Sequence, residues 1–281
     1  MTANIDREVR LPDAPPIAGL HFRTFDPDRD YKGLVALIRE AHLADGIDWI
    51  PTVENLRAEH EHGGEFDPRR DLLVALVDGR TGGRTLGSWP DEAQSGAVAL
   101  YESEGYSIAR YGFMMVRDLT EPIADLPLPD GLDMRPVIDA DHRRIWDADA
   151  EAFRDHWNAG ERTEADFEGW FASPELDTSL WRVAWDGDEV AGSVMNFIYP
   201  AENEALGGRR GWLDHVSVGR PWRRRGLASA LIAESMRALR NAGMTEAALG
   251  VDAENPTGAL HVYENLGFRR ARTGVQYRKP I

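Results

Sequence analysis

The sequence contains no cysteine, which excludes a disulfide framework, thiolate metal ligation and a cysteine nucleophile together. It has no apolar run near the roughly 18 residues that crossing a bilayer requires, so no membrane span is expected. The N-terminus lacks a basic stretch leading into an apolar segment, so no secretory signal is expected and a cytoplasmic location fits. Positive charge is scarce: Lys32 and Lys279 are the only lysines and the formal net charge is −16. That balance argues against nucleic acid as a partner, because phosphate backbones need a basic face. It is compatible with a cationic small molecule and equally with simple solubility. No metal is expected. What remains is a globular composition in a chain of 281 residues, enough for two domains with their own cores.

Pro122, Pro127, Pro129 and Gly131 break the middle of the chain and place a linker at residues 122–131. The expected division is residues 1–121, the linker, and residues 132–281. The two sides repeat each other. Gly96 through Tyr106 aligns without gaps on Gly258 through Phe268, an offset of 162, whereas Leu72 through Val77 aligns on Leu180 through Trp185 at an offset of 108. The jump means that about 54 residues of the second copy have no counterpart in the first.

In the second copy, Asp141–Trp157 and Thr163–Phe171 read as helices, with Ile145, Trp146, Ala148, Ala152 and Phe153 at helical spacing. Leu180–Trp185 and Glu189–Tyr199, joined by Asp186-Gly187-Asp188, read as a hairpin. Trp212–Val218 reads as a strand, Gly226–Asn241 as a helix stopped by Gly243, Ala247–Val251 as a strand and Gly258–Asn265 as a helix. The alternation predicts an α/β fold whose central sheet is largely parallel.

The segment from Leu213 to Ala228 carries the chemistry: a strand, a tight turn and a helix start. Backbone N–H groups at such a start lack intrahelical acceptors and suit a phosphate oxygen. Gly226 permits close approach, and Ala228 is small. Arg223, Arg224 and Arg225 oppose the helix dipole by a few tenths to about 1 kcal/mol, a penalty that a bound anion reverses.

Arg223-Arg224-Arg225-Gly226-Leu227-Ala228 resembles the Q/R-x-x-G-x-G/A loop of the GCN5-related N-acetyltransferases (GNAT family), and Asn255 followed by Tyr263 through Phe268 resembles their later helix. The resemblance covers Leu132–Arg278, and the tandem arrangement is similar to the two-domain subgroup that includes mycothiol synthase. It implies a GNAT-like mixed α+β sheet, acetyl-CoA as co-substrate, and a first copy that is a shortened domain without transferase activity. It also implies that Val216, Ser217 and Val218 hold the pantetheine arm and polarise the thioester carbonyl. The loop Arg223–Ser229, with Arg224, Arg225, Gly226, Leu227 and Ala228, would cradle the pyrophosphate. Asn255 would contact the pantetheine, although it lies eight residues before Tyr263, one more than the commonest spacing. Tyr263 would protonate the departing thiolate.

An amine acceptor, with a pKa near 10, must lose a proton before attack. Asp214 is the candidate base, because strand alternation puts it on the face of Val216 and Val218, while His215 and Ser217 point the other way; binding a cation or capping a neighbouring chain is the alternative for it. His215 is therefore expected to be an ordinary half-buried residue. Trp146, Trp157, Trp170, Trp181 and Trp185 are left unassigned between lining an acceptor pocket and packing, the commoner role of such residues. The expected function is acetyl transfer to the primary amine of a small molecule. A peptide or protein amine, or a non-catalytic acyl-CoA sensor, are the alternatives, and a homodimer is left open.

Overall fold

A computed structural model of the chain describes residues 8–10, 19–44, 51–61, 67–77, 80–81, 91–104, 106–154, 162–254 and 258–278. Trp157 and Asn255 lie outside the described residues. Two compact units result, 1–87 with 163–173 and 88–162 with 174–281.

The first unit contains strands β1 (Glu8–Val9) and β2 (Leu20–Thr24), helices α1 (Pro27–Ala44), α2 (Val53–Glu61) and α3 (Pro68–Asp71), and strands β3 (Leu73–Val77) and β4 (Arg80–Thr81). The four strands form an antiparallel sheet in chain order. Phe25, Tyr31, Leu56 and Val74 make its core.

The second unit begins with α4 (Ser95–Ser103), β5 (Ser107–Asp118), β6 (Asp133–Met134) and α5 (His142–Phe153). The next helix, α6 (Glu164–Phe171), belongs to the first unit and starts at a capping box of Thr163 and Asp166. The second unit continues with β7 (Arg182–Asp186), β8 (Glu189–Phe197), α7 (Pro200–Leu206), β9 (Arg210–Val218), α8 (Leu227–Asn241), β10 (Glu246–Asp252), α9 (Ala259–Asn265) and β11 (Arg269–Arg278). Its seven-stranded sheet has the order β11-β5-β10-β9-β8-β7-β6. The expectation of a largely parallel sheet is corrected: β9 and β10 form its one parallel pair. The crossover through α8 joins this parallel pair, whereas a tight turn at Gly187 joins β7 to β8.

Strand β5, on the N-terminal side of the expected linker, lies inside this sheet between β10 and β11. Its pairing with β11 expresses the internal repeat. Gly112 pairs with Gly274, the residue 162 positions later, while Tyr111 pairs with Val275 and Phe113 with Thr273. Residues one step either side of the centre exchange partners, as a local two-fold axis requires. The repeat is thus a symmetric strand pair, and Met115 and Leu119 of the earlier segment join Leu213, Leu231, Met236, Leu249 and Phe268 in the main core.

Candidate active site

Strands β9 and β10 pair only from Arg210–Trp212 against Glu246–Ala248 and then part. Beyond Trp212 this edge of β9 has no strand partner among the described residues, although the Val218 carbonyl accepts from Arg223 Nε at 3.0 Å. Backbone polar groups left unpaired in this way suit an extended ligand rich in amides. Val216 and Val218 pack against the α8 core, and the Ser217 hydroxyl is 3.0 Å from that of Ser193.

Asp214 sits where strand alternation fails. Pairing with β8 runs Met195 to His215 and then Asn196 to Leu213, so Asp214 is the extra residue of a β-bulge. The bulge turns Leu213 into the main core beneath α8 and leaves Asp214 exposed. Although its surface is open, protein packed around its carboxyl raises the Asp214 pKa; His215 opposes the rise and the Asp149 charge adds to it. Asp214, Glu175 and Glu202 all act on Tyr199, whose hydroxyl is raised by burial first and then by these carboxylates. Of these, Glu202 is buried, accepts from Trp212 Nε1 at 3.1 Å and lies 3.8 Å from Arg210.

After β9 the chain makes a turn at Arg220–Trp222 and enters α8. The three arginines do different things. The Arg223 side chain turns inward, its Nε 3.0 Å from the Val218 carbonyl and its Nη2 3.2 Å from that of Ala152. The Arg225 side chain donates to the Asp130 carbonyl at 3.1 Å. Arg224 is exposed and holds a left-handed backbone at φ 60°, which a non-glycine residue adopts at a cost. Gly226 follows at φ 88°, and no side chain caps α8. Successive turns of this kind with uncapped N–H groups form an anion-binding concavity. Such a concavity suits a phosphate oxygen, and the exposed Arg224 stands beside it. Leu227 is buried as part of the core, while Ala228 and Ser229 are half-buried.

Tyr263 on α9 is 7% exposed, shares the main core with Leu227, Leu249 and Val251, and packs edge-on against Phe268. Burial pushes its hydroxyl up to about 12, so it is protonated at neutral pH. The equivalent Tyr101 on α4 lies instead in a satellite cluster, stacked on Tyr277.

Reading along the chain missed one constellation. Asp149 of α5 is fully buried, and its Oδ2 lies 2.8 Å from His215 Nδ1 and 2.9 Å from Arg162 Nη2. Phe153 packs on the imidazole, and the Arg162 guanidinium lies 4.7 Å from the Trp146 ring centroid. Burial alone would raise the Asp149 carboxyl, but the His215 hydrogen bond and the two cations hold it below the usual range. Burial alone would lower His215; Asp149, with Asp214, outweighs that and Arg162, and raises it. His215 does point to the opposite face from Val216 and Val218, as alternation predicts, yet it is not idle there. The available signal was Asp149 itself, a charge set four residues after Ile145 and three before Ala152 in the buried stripe of α5.

Residues 142–268 match the model of the family described as Acetyltransferase (GNAT) family. A mycothiol acetyltransferase of Thermobispora bispora is 32% identical over 212 residues, 74% of this chain and 70% of that one. Another, from Geodermatophilus obscurus, is 26% identical over 291 residues, covering 88% of this chain and 93% of that one. The crystal structure of a GCN5-related N-acetyltransferase from Sphaerobacter thermophilus superposes with a TM-score of 0.66 at 22% identity over 96% of each chain, a likeness of fold.

Proposed function

This chain belongs to the GNAT acetyltransferase family, and on that premise we propose that it moves an acetyl group from acetyl-CoA to the primary amine of a small molecule by direct attack in a ternary complex. The observation that carries the donor half is the uncapped start of α8 beside the left-handed Arg224 and Gly226, adjoining the edge of β9 that parts from β10. Bound there, acetyl-CoA supplies an activated acyl carbon and a thiolate leaving group.

The chain's own groups bind, orient and move protons. The N–H groups at the start of α8 and the Arg224 side chain hold the diphosphate. The edge of β9 from Val216 to Val218 orients the pantetheine arm and acyl group. Tyr263, protonated at neutral pH, donates to the departing sulfur. Asn255 and the Arg223 and Arg225 backbones complete the contacts. The acceptor reading rests on the exposed Asp214 and on Glu175, carboxylates that both act on Tyr199 and favour a cationic amine. Because the relatives are named mycothiol acetyltransferases, a mycothiol-related amine is the first acceptor to test.

The test is release of free thiol from acetyl-CoA with a panel of small primary amines that includes glucosamine, ethanolamine, spermidine, glycinamide and a mycothiol-related amine. Thiol release dependent on an amine is expected. A protein that binds acetyl-CoA but releases thiol only with a peptide amine would refute the small-molecule acceptor.

A further inference from the structure

We propose that Asp186 is a positioning residue for the donor site: through the indole of Trp222 it holds the chain entering α8 in the conformation that receives phosphate. The proposal rests on the acetyl-CoA reading above and adds to it the side-chain bond that keeps the concavity formed before the ligand arrives.

The chain does not favour that conformation by itself. Arg224 at φ 60° and Gly226 at φ 88° are both left-handed, and no side chain caps the helix they lead into. A left-handed arginine persists only where its surroundings over-determine it. The fixing groups lie on either side. After the turn, Leu227 is buried in the main core and Arg225 donates to the Asp130 carbonyl. Before it, Arg223 reaches the carbonyls of Val218 and Ala152, and Trp222 Nε1 donates to Asp186 Oδ2 at 2.9 Å. Of these bonds, the three from arginine end on backbone carbonyls, which any sequence with this fold supplies. The bond from Trp222 depends on a second side chain.

Local geometry is built around that ring. A β-carbon at Gly219 would come within 2.8 Å of the indole atoms Cε3 and Cζ3. Gly219 has an ordinary backbone, φ −58° and ψ 143°, so what it contributes is room for the ring. Its N–H donates to the Ala191 carbonyl at 2.9 Å, and its carbonyl accepts from the Trp222 N–H at 3.0 Å. Asp186 lies 36 positions earlier, at the end of β7, where Gly187 at φ 57° turns the chain into β8. Val183, Ala184 and Trp185 just before it are buried, and β7 pairs with β8 as far as Asp186 and Glu189. The carboxylate is therefore carried by a firm corner of the sheet, and the ring ties the turn to that corner.

Magnitudes separate this role from a contribution to folding. The Trp222–Asp186 bond is exposed, so losing it opens no core. Its consequence lies in the turn instead. A ligand that binds one conformation is weakened in proportion to the fraction of molecules holding that conformation. Breaking the bond lets the turn relax from its left-handed residues, lowers that fraction and weakens binding, while the site that does form is unaltered.

The experiment compares wild type with Asp186→Ala, Asp186→Asn, Trp222→Phe, Gly219→Ala and the double variant Asp186→Ala/Trp222→Phe. It measures acetyl-CoA affinity by calorimetry, amide hydrogen exchange over residues 223–229 of the free protein, and thermal unfolding. Asp186→Ala and Trp222→Phe should each weaken acetyl-CoA binding about 2- to 12-fold, the net worth of one hydrogen bond, and speed exchange in that segment. The double variant should be no worse than either single one, because both remove the same bond. Asp186→Asn keeps an acceptor oxygen and should restore most of the affinity. Gly219→Ala displaces the ring without touching donor or acceptor and should reproduce the loss. With a panel amine that releases thiol, the change should appear in the KM for acetyl-CoA and leave kcat within about twofold. Single losses that add in the double variant would overturn the latch, as would unchanged affinity and exchange accompanied only by a lower unfolding temperature. A wild type that does not bind acetyl-CoA, while Asp186→Ala still speeds exchange, strikes at the donor reading and leaves the latch standing, so the two failures are distinguishable.

Discussion

Replacing Gly226 by valine separates the conformational role of this residue from its role in binding. A β-carbon at position 226 meets nothing within 4 Å, so no clash is expected in the protein itself. The backbone at φ 88° is the obstacle: a β-branched residue held in a left-handed conformation costs about 1–2 kcal/mol. For a unit of this size that lowers Tm by roughly 2–8 °C, and the fold persists. If position 226 relaxes instead, the first N–H groups of α8 turn away from the cradle. Each charge-assisted hydrogen bond lost is worth about 1.5–3 kcal/mol, so losing one of them weakens acetyl-CoA binding roughly 10- to 150-fold. Calorimetric titration with acetyl-CoA, paired with thermal unfolding of the unliganded protein, reads both quantities. Undiminished affinity at normal stability would remove the loop from the binding site.

One acyl-CoA per chain is expected, because the cradle at the start of α8 belongs to the second unit, and calorimetry giving two equivalent sites would contradict it. Tyr263→Phe should reduce turnover about 10²–10⁴-fold with acetyl-CoA affinity nearly unchanged, whereas Tyr101→Phe, in the equivalent helix against Tyr277, should leave turnover as it is. Equal small effects would make Tyr263 a packing residue. Asp149→Asn should destabilise the protein more at pH 7 than at pH 3. The Asp149 carboxyl is depressed in the folded state, so its stabilisation is present above the unfolded value near 3.9 and is lost as pH falls through the folded one. Urea unfolding at the two pH values measures the difference, and an equal loss at both would show that Asp149 is not ionised in the fold.

Much of the fold was legible because its signals are local. The Asp-Gly turn, the helix ending at Gly243 and the strand entering α8 follow from backbone preferences within a few residues. The parallel-sheet expectation failed because alternation of strands and helices says nothing about which non-adjacent strand will be inserted between two others; here β5 takes that place. Alternation along β9 held from His215 onward and failed at Asp214, where one extra residue shifts the register. The inward turn of Arg223 was invisible, since its acceptors at Val218 and Ala152 come from two elements.

By itself the sequence determined the loop Arg223–Ser229, the tyrosine helix, the repeat and the family. Each of these is written in contiguous residues whose spacing follows helix and strand periods. Only the tertiary structure decided that equivalent strands would pair about Gly112 and Gly274, and that β9 and β10 would part beyond Trp212. It also decided that Asp149 would lie under His215, 66 positions away. The physical reason is range: dihedral preferences act over a few residues, whereas a buried ion pair exists only after two distant elements have packed and excluded water.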